Sequence, residues 1–388
     1  MTAFTNRFDE AAVGAGDSTA AFGGLGPGRL LAAEPMTAYL LPGVKLPARA
    51  WRISYTTTTG SGQPTRVTGT VLVPREPWRG EGSRPLIGYA VGTQGLADKV
   101  AAASWQLRFG LEYESVFITA ALRRGWALAI TDYPGLGNSG THPYVMGRSL
   151  GPAVLDSIRA ARRLSAAGLD PNGPLGIYGY SEGGCAAGWA LQLQPGYAPD
   201  LPLAGGVVGS APADLEDMIA FLDGSPYAFL LFYGVVGLHA AYPELDVMQH
   251  LKPHGRALAA IFRRTHALPA ALVGIGLGAF VPKQVSSYCH RMPFEVPEVR
   301  DRLRENKLGH IAPAAPVLVA GGTAEQIIPY PQAVRLAESW RALGVDVTMH
   351  SMPRREHITG ALSFARPALG FLADRFAESG RVALRRGA

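Results

Sequence analysis

Along the chain the apolar positions change period several times, and those changes predict the architecture. Short, nearly unbroken apolar runs bounded by glycine, proline or polar residues read as strands buried on both faces. Six such runs stand out: PLIGYAVG (85–92), WALAIT (126–131), LGIYG (175–179), LPLAGGVVGSAP (201–212), PVLVAG (316–321) and VDVTMHSMP (345–353). Helix-period stretches lie between them. Residues 150–167 carry Val154, Ile158 and Ala161 on one face with arginines elsewhere, and 332–343 separates the last two strands. Strand and helix in alternation predict an α/β fold with a mostly parallel sheet flanked by helices. Two β-branched runs around Gly60-Ser61-Gly62 predict a hairpin over 51–75 that forms the antiparallel edge of that sheet.

The rhythm breaks twice. Residues 1–50, rich in Gly, Ala and Pro, predict an extended lead-in packed on the core. Residues 213–312 lose the alternation and give helix-like pieces bearing Phe221, Tyr227, Phe229, Phe232, Tyr233 and Phe280. Insertions into open α/β sheets lie beyond the C-terminal strand ends, where ligands bind, so this segment predicts a helical cap. The plainer alternative is a helical subdomain with no role towards substrate. The expected order is therefore lead-in 1–50, core 51–212, cap 213–312 and the rest of the core, 313–388.

Composition removes several function classes. The net charge of +6 and pI near 9.4 come from basic residues scattered among acids. With no basic stripe and no recognition motif, nucleic acid is not an expected partner. Two cysteines, Cys185 and Cys289, give neither a disulfide framework nor a metal-ligand spacing. No cofactor or metal is expected. The apolar fraction of 47% invites a search for membrane spans, but Tyr227 to Ala241 is too short and contains His239, and Leu268 to Val281 is short and broken by Pro269. No signal peptide is visible at the N-terminus, which favours the cytoplasm. Gly135, Gly137 and Gly140 satisfy G-x-G-x-x-G, but Pro134 precedes them and a polar loop follows where a helix should open, so a dinucleotide site is discounted.

The candidate chemistry begins at Gly179-Tyr180-Ser181-Glu182-Gly183. A strand runs into a serine and a small-residue helix begins at once, the layout of a nucleophile elbow. In a chain with 48 Gly the bare pattern is weak evidence; position adds the weight. Glu325 and His357 follow Ser181 in the order nucleophile, acid, histidine, each at the C-terminal exit of a predicted strand, which is the α/β-hydrolase order. A serine hydroxyl needs a base to become a nucleophile, and an imidazole serves best when a carboxylate holds its tautomer. His350, His310 and His142 are rivals for the base, and Asp132, Asp214 and Glu356 for the acid; position favours His357 and Glu325. The backbone N–H of Glu182, joined by that of Thr93 or Gln94 in the glycine-flanked loop after strand 85–92, is the candidate oxyanion hole. The Glu182 side chain is expected to point away, into a salt bridge.

GTQGLAD (92–98), TDYPGLG (131–137), THPY (141–144), GYSEGG (179–184), GTAEQIIPY (322–330) and EHITG (356–360) together resemble the secretory lipase family over residues 50–375. The resemblance implies an α/β-hydrolase with a helical cap over an acyl tunnel, acting on carboxylic esters including acylglycerols, with Ser181 as nucleophile, His357 as base and Glu325 as acid. It implies transient contact between cap and lipid interface, and relatives that are often secreted. The chain departs from the family pattern in having Glu325 where aspartate is usual and in lacking a cysteine after GLAD. The expected activity is a serine esterase or lipase working through an acyl-enzyme. An acyltransferase on the same triad and a non-catalytic binding module on a hydrolase shell are the alternatives.

Overall fold

A computed structural model describes residues 24–97, 99–264 and 284–387. Asp98, Phe280 and the whole apolar run 268–281 lie outside the described residues, as does the start of the lead-in. The polypeptide builds a nine-stranded sheet in the order β1-β4-β5-β7-β6-β8-β9-β10-β11. Its first part is antiparallel: β1 (Leu30–Met36), β4 (Ala48–Thr58), β5 (Pro64–Pro74) and the β5 to β7 pairing. From β7 (Ala127–Thr131) onward every neighbour is parallel: β6 (Leu86–Ala90), β8 (Leu175–Tyr180), β9 (Leu203–Gly209), β10 (Val317–Gly322) and β11 (Val347–Met352). A small pair, β2 (Tyr39–Leu41) and β3 (Val44–Lys45), stands apart.

The hairpin expected at 51–75 forms as β4 and β5, but it is not the edge. Residues 30–36, read as lead-in, pair antiparallel with β4 and take the outermost position. This strand alternates weakly and is only partly buried, so its sequence carries neither signature of a strand.

The helices that follow the strands are α1 (Ala103–Phe109), α2 (Ser115–Arg123), α3 (Gly147–Arg163), α4 (Glu182–Tyr197), α9 (Tyr330–Ala342) and α10 (His357–Gly387). Between β9 and β10 lie α5 (Leu215–Leu222), α6 (Phe229–Ala241), α7 (Pro253–Phe262) and α8 (Pro297–Glu305), with short 3-10 turns and, among the described residues, no strand. These helices pack into an apolar cluster distinct from the core around the sheet, and Leu96, Tyr144, Val145, Met146 and Ile328 of the sheet's C-terminal loops belong to it. No helix among the described residues is long and apolar enough to cross a membrane.

Small residues let α4 lie deep. Gly147 and Gly151 of α3 leave room for Trp189, which is 2% exposed, and a Cβ on Gly184 would meet the Gly209 carbonyl oxygen at 2.3 Å. The helix can therefore sit against the sheet, and the turn entering it is held from both sides.

Candidate active site

Ser181 occupies the turn between β8 and α4 with φ 61° and ψ −126°. A non-glycine residue in this region is strained, and such strain persists only where the surroundings impose it. Here the imposition is visible. A Cβ on Gly179 would stand 1.9 Å from the Gly183 carbonyl oxygen, and one on Gly183 would stand 2.1 Å from the Ala90 carbonyl oxygen. Glycine at both places lets the chain reverse direction within five residues, while the Ser181 N–H is fixed to the Gly209 carbonyl at 2.9 Å.

The three residues singled out by order along the chain meet. His357 Nε2 lies 2.9 Å from Ser181 Oγ, and His357 Nδ1 lies 2.9 Å from both Glu325 Oε1 and Oε2. The extra methylene of glutamate is accommodated with the two carboxylate oxygens equidistant from the ring nitrogen. The Glu325 side chain is buried, 1% exposed, and Oε1 also accepts from the backbone N–H groups of Ile327 and Ile328 at 3.1 and 3.4 Å. A buried carboxylate needs such partners.

The rivals are placed elsewhere. Asp132 is buried and accepts from Thr68 Oγ1 at 2.6 Å and from Ser104 N and Oγ at 2.7 and 2.5 Å, tying β5 and α1 to the exit of β7. Asp214 caps α5 through the Glu216 N–H at 3.1 Å and pairs with Lys307 at 2.6 Å. Glu356 accepts from the N–H groups of Ile358 and Thr359 at the start of α10. Against the cost of burial, these hydrogen bonds hold its carboxyl down at about 2.

Several positioning residues carried no readable signal in the sequence. Gln326 accepts the His357 N–H through Oε1 at 2.9 Å and donates to Glu356 through Nε2 at 3.2 Å, joining the loops after β10 and β11. The Tyr180 hydroxyl donates to the His357 carbonyl oxygen at 2.7 Å. These contacts, two of them side chain to backbone and one between side chains, join distant segments, which no spacing rule announces.

At the exit of β6, Thr93 lines the cavity in front of Ser181, and its Oγ1 is 3.1 Å from the Tyr144 hydroxyl. Gln94 turns away, and its amide donates to Glu112 at 3.1 Å. Of the two loop candidates, Thr93 lines the cavity and Gln94 does not. The Glu182 N–H opens α4 and has no intrahelical acceptor. Residues 112–114 clamp this loop. Glu114 accepts the Gly92 N–H at 2.9 Å, the Tyr113 hydroxyl donates to the Thr93 carbonyl at 3.2 Å, and Glu112 takes Gln94. Burial pushes Glu112 up to about 7; burial and the adjacent Glu112 charge push Glu114 up to about 8.

Ser181, His357 and Glu182 open onto a cavity of about 750 Å³. Its far wall is apolar and comes from the α5 to α8 segment, with Leu215, Met218, Leu222, Phe229 and Leu231 among the lining residues. Cys185 and Cys289 are both buried and unpaired. No cluster of metal-ligating residues is present among the described residues.

The family model of the secretory lipases matches residues 102–383. The chain belongs to the secretory lipase family. Two relatives illustrate its range. A probable inactive lipase of Mycobacterium tuberculosis is 31% identical over 90% of this chain and 79% of its own length. A secreted triacylglycerol lipase of Malassezia furfur is 27% identical over 85% of this chain and 68% of its own. Among solved structures, Candida antarctica lipase A superposes with a TM-score of 0.79 at 22% identity, covering 92% of this chain and 84% of that one. The rice cell wall degrading esterase LipA of Xanthomonas oryzae gives 0.72 at 21%, covering 88% and 96%. The sheet of this secretory lipase family member is therefore that of an α/β-hydrolase, and both family and fold support a hydrolase of the lipase type.

Proposed function

We propose that the chain hydrolyses carboxylic esters with an apolar acyl part through an acyl-enzyme on Ser181. The single observation that carries this is the continuous relay from Ser181 through His357 to Glu325, each contact 2.9 Å, at the mouth of an apolar cavity. Ser181 Oγ attacks the ester carbonyl while His357 Nε2 takes the hydroxyl proton, and Glu325 stabilises the imidazolium. The carbonyl electrons move to oxygen, received by the N–H groups of Glu182 and Thr93. Collapse breaks the bond to the alkoxy oxygen, which leaves as alcohol with the proton from His357. Water, deprotonated by the same nitrogen, then releases the acid. Apart from the ester and water, the steps use only groups of this chain. In this reading the α5 to α8 segment is a cap that holds the acyl chain, and its apolar surface meets the lipid phase.

The Mycobacterium tuberculosis relative, named a probable inactive lipase, gives a specific reason to weigh a binding role without turnover. Fluorophosphonate labelling separates the two. The parent protein is expected to label at Ser181 and to hydrolyse p-nitrophenyl esters, and Ser181→Ala to do neither. Full activity in Ser181→Ala, or a parent that binds esters without labelling, would sink the proposal. Product analysis with added alcohol distinguishes hydrolysis, which yields mainly free acid, from acyl transfer, which yields a new ester.

A further inference from the structure

A second histidine–carboxylate contact lies beside the nucleophile, and the reaction above does not use it. His142 is fully buried and Glu182 is 2% exposed; His142 Nε2 stands 2.7 Å from Glu182 Oε1. The other ring nitrogen, Nδ1, stands 3.1 Å from the Pro134 carbonyl oxygen. A carbonyl only accepts, so Nδ1 carries a hydrogen. Bonding between Nε2 and Oε1 then requires one further proton shared by the two, as imidazolium against carboxylate or as carboxylic acid against neutral ring. In either form the pair has no net charge.

The ring cannot easily leave. It stacks on Tyr133 with centroids 5.6 Å apart, and the Tyr133 hydroxyl donates to the Val91 carbonyl at 2.8 Å. Its other neighbour, Tyr144, meets it edge-on and reaches Thr93. The pair thus ties the loop after β7 to the first residue of α4 and, through Tyr144, to the loop after β6. The Glu182 charge also reaches Tyr113, Glu114, Tyr133, Tyr144 and Cys185. All five are acids, so none of them can supply positive charge to it.

We propose that His142 is a positioning residue for ester hydrolysis. By sharing a proton with Glu182 it leaves the pair beside the nucleophile without net charge while an oxyanion forms at the Glu182 N–H. A free carboxylate there would oppose the developing charge in a water-poor site, where like charges interact strongly. This rests on the ester-hydrolase reading, but its test does not depend on that reading alone.

The experiment compares the parent, His142→Gln and the double variant His142→Gln/Glu182→Gln, each with a thermal melt. Two readouts are taken from pH 5 to 9: p-nitrophenyl ester turnover, and the rate of fluorophosphonate attack on Ser181. His142→Gln is expected to lose 10- to 100-fold in kcat with KM within twofold. The double variant should recover most of the lost kcat, and labelling rates should follow the same order. Full kcat in His142→Gln, or a folded double variant as slow as the single one, overturns the proposal. A parent that labels but turns over no ester defeats the hydrolase reading, while the labelling rates still decide the role of His142. A parent that neither labels nor turns over defeats both. Should His142→Gln fail to fold, His142→Asn takes its place in both variants.

Discussion

In the proposed hydrolysis, Ser181, His357 and Glu325 act as a unit only if the imidazole keeps one tautomer. Glu325 enforces it by accepting from Nδ1, leaving Nε2 to face the serine. Glu325→Gln keeps the shape but can present its amide to Nδ1 and so favour the wrong tautomer. We expect kcat to fall on the order of 10⁴-fold with KM little changed; steady-state kinetics on one ester decides, and a loss below tenfold would show that another group holds the ring. Tyr180 works one step further out. Tyr180→Phe removes the hydroxyl bonded to the His357 carbonyl, and denaturant melts should register about 1 kcal/mol, the usual worth of such a bond.

At the scale of elements, the elbow depends on strand β8 and helix α4 meeting β6 almost backbone to backbone. A methyl group on Gly183 would point into the Ala90 carbonyl oxygen, and neither partner is a flexible side-chain end. Gly183→Ala is therefore expected to destabilise strongly and to abolish serine labelling in whatever protein folds, read by melting and by fluorophosphonate. Normal labelling at parental stability would mean the strand can shift freely. In the proposed reading, the elements beyond β9 bear on selectivity. Leu215 and Met218, which sit on α5 and line the cavity, can be enlarged to shorten it. Met218→Trp should move the preferred acyl chain to shorter esters across a p-nitrophenyl panel; an unchanged profile would place the acyl chain elsewhere.

Over the whole molecule, the Glu112 and Glu114 carboxyls couple stability to pH. Their folded values of about 7 and about 8 exceed the usual 4.5. Between roughly pH 4.5 and 8 the folded state therefore holds protons that the unfolded chain has released. Stability from this source is present below 4.5 and drains as pH rises through 7 to 8. Relative to the parent, Glu112→Gln/Glu114→Gln should gain stability between pH 5 and pH 8 in denaturant melts. An offset constant with pH would assign the effect to packing instead.

The strands of the parallel half were readable because burial on both faces leaves an uninterrupted apolar run, which survives in one dimension. The order Ser181, Glu325, His357 was readable for a related reason: in this topology each lies just beyond a strand's C-terminal end, so position along the chain stands in for position in space. Strand 30–36 was not readable, because an edge strand with a half-exposed face needs no such run. Nor were Gln326, Tyr180, the clamp at 112–114 or the partnership of His142 with Glu182. Their roles exist only as distances between segments far apart in the chain, and the folded backbone alone sets those distances. Sequence by itself determined which chemical groups are present and which strand ends carry them. Tertiary structure decided which groups share a proton, because hydrogen bonding requires approach to about 3 Å, and only packing delivers that.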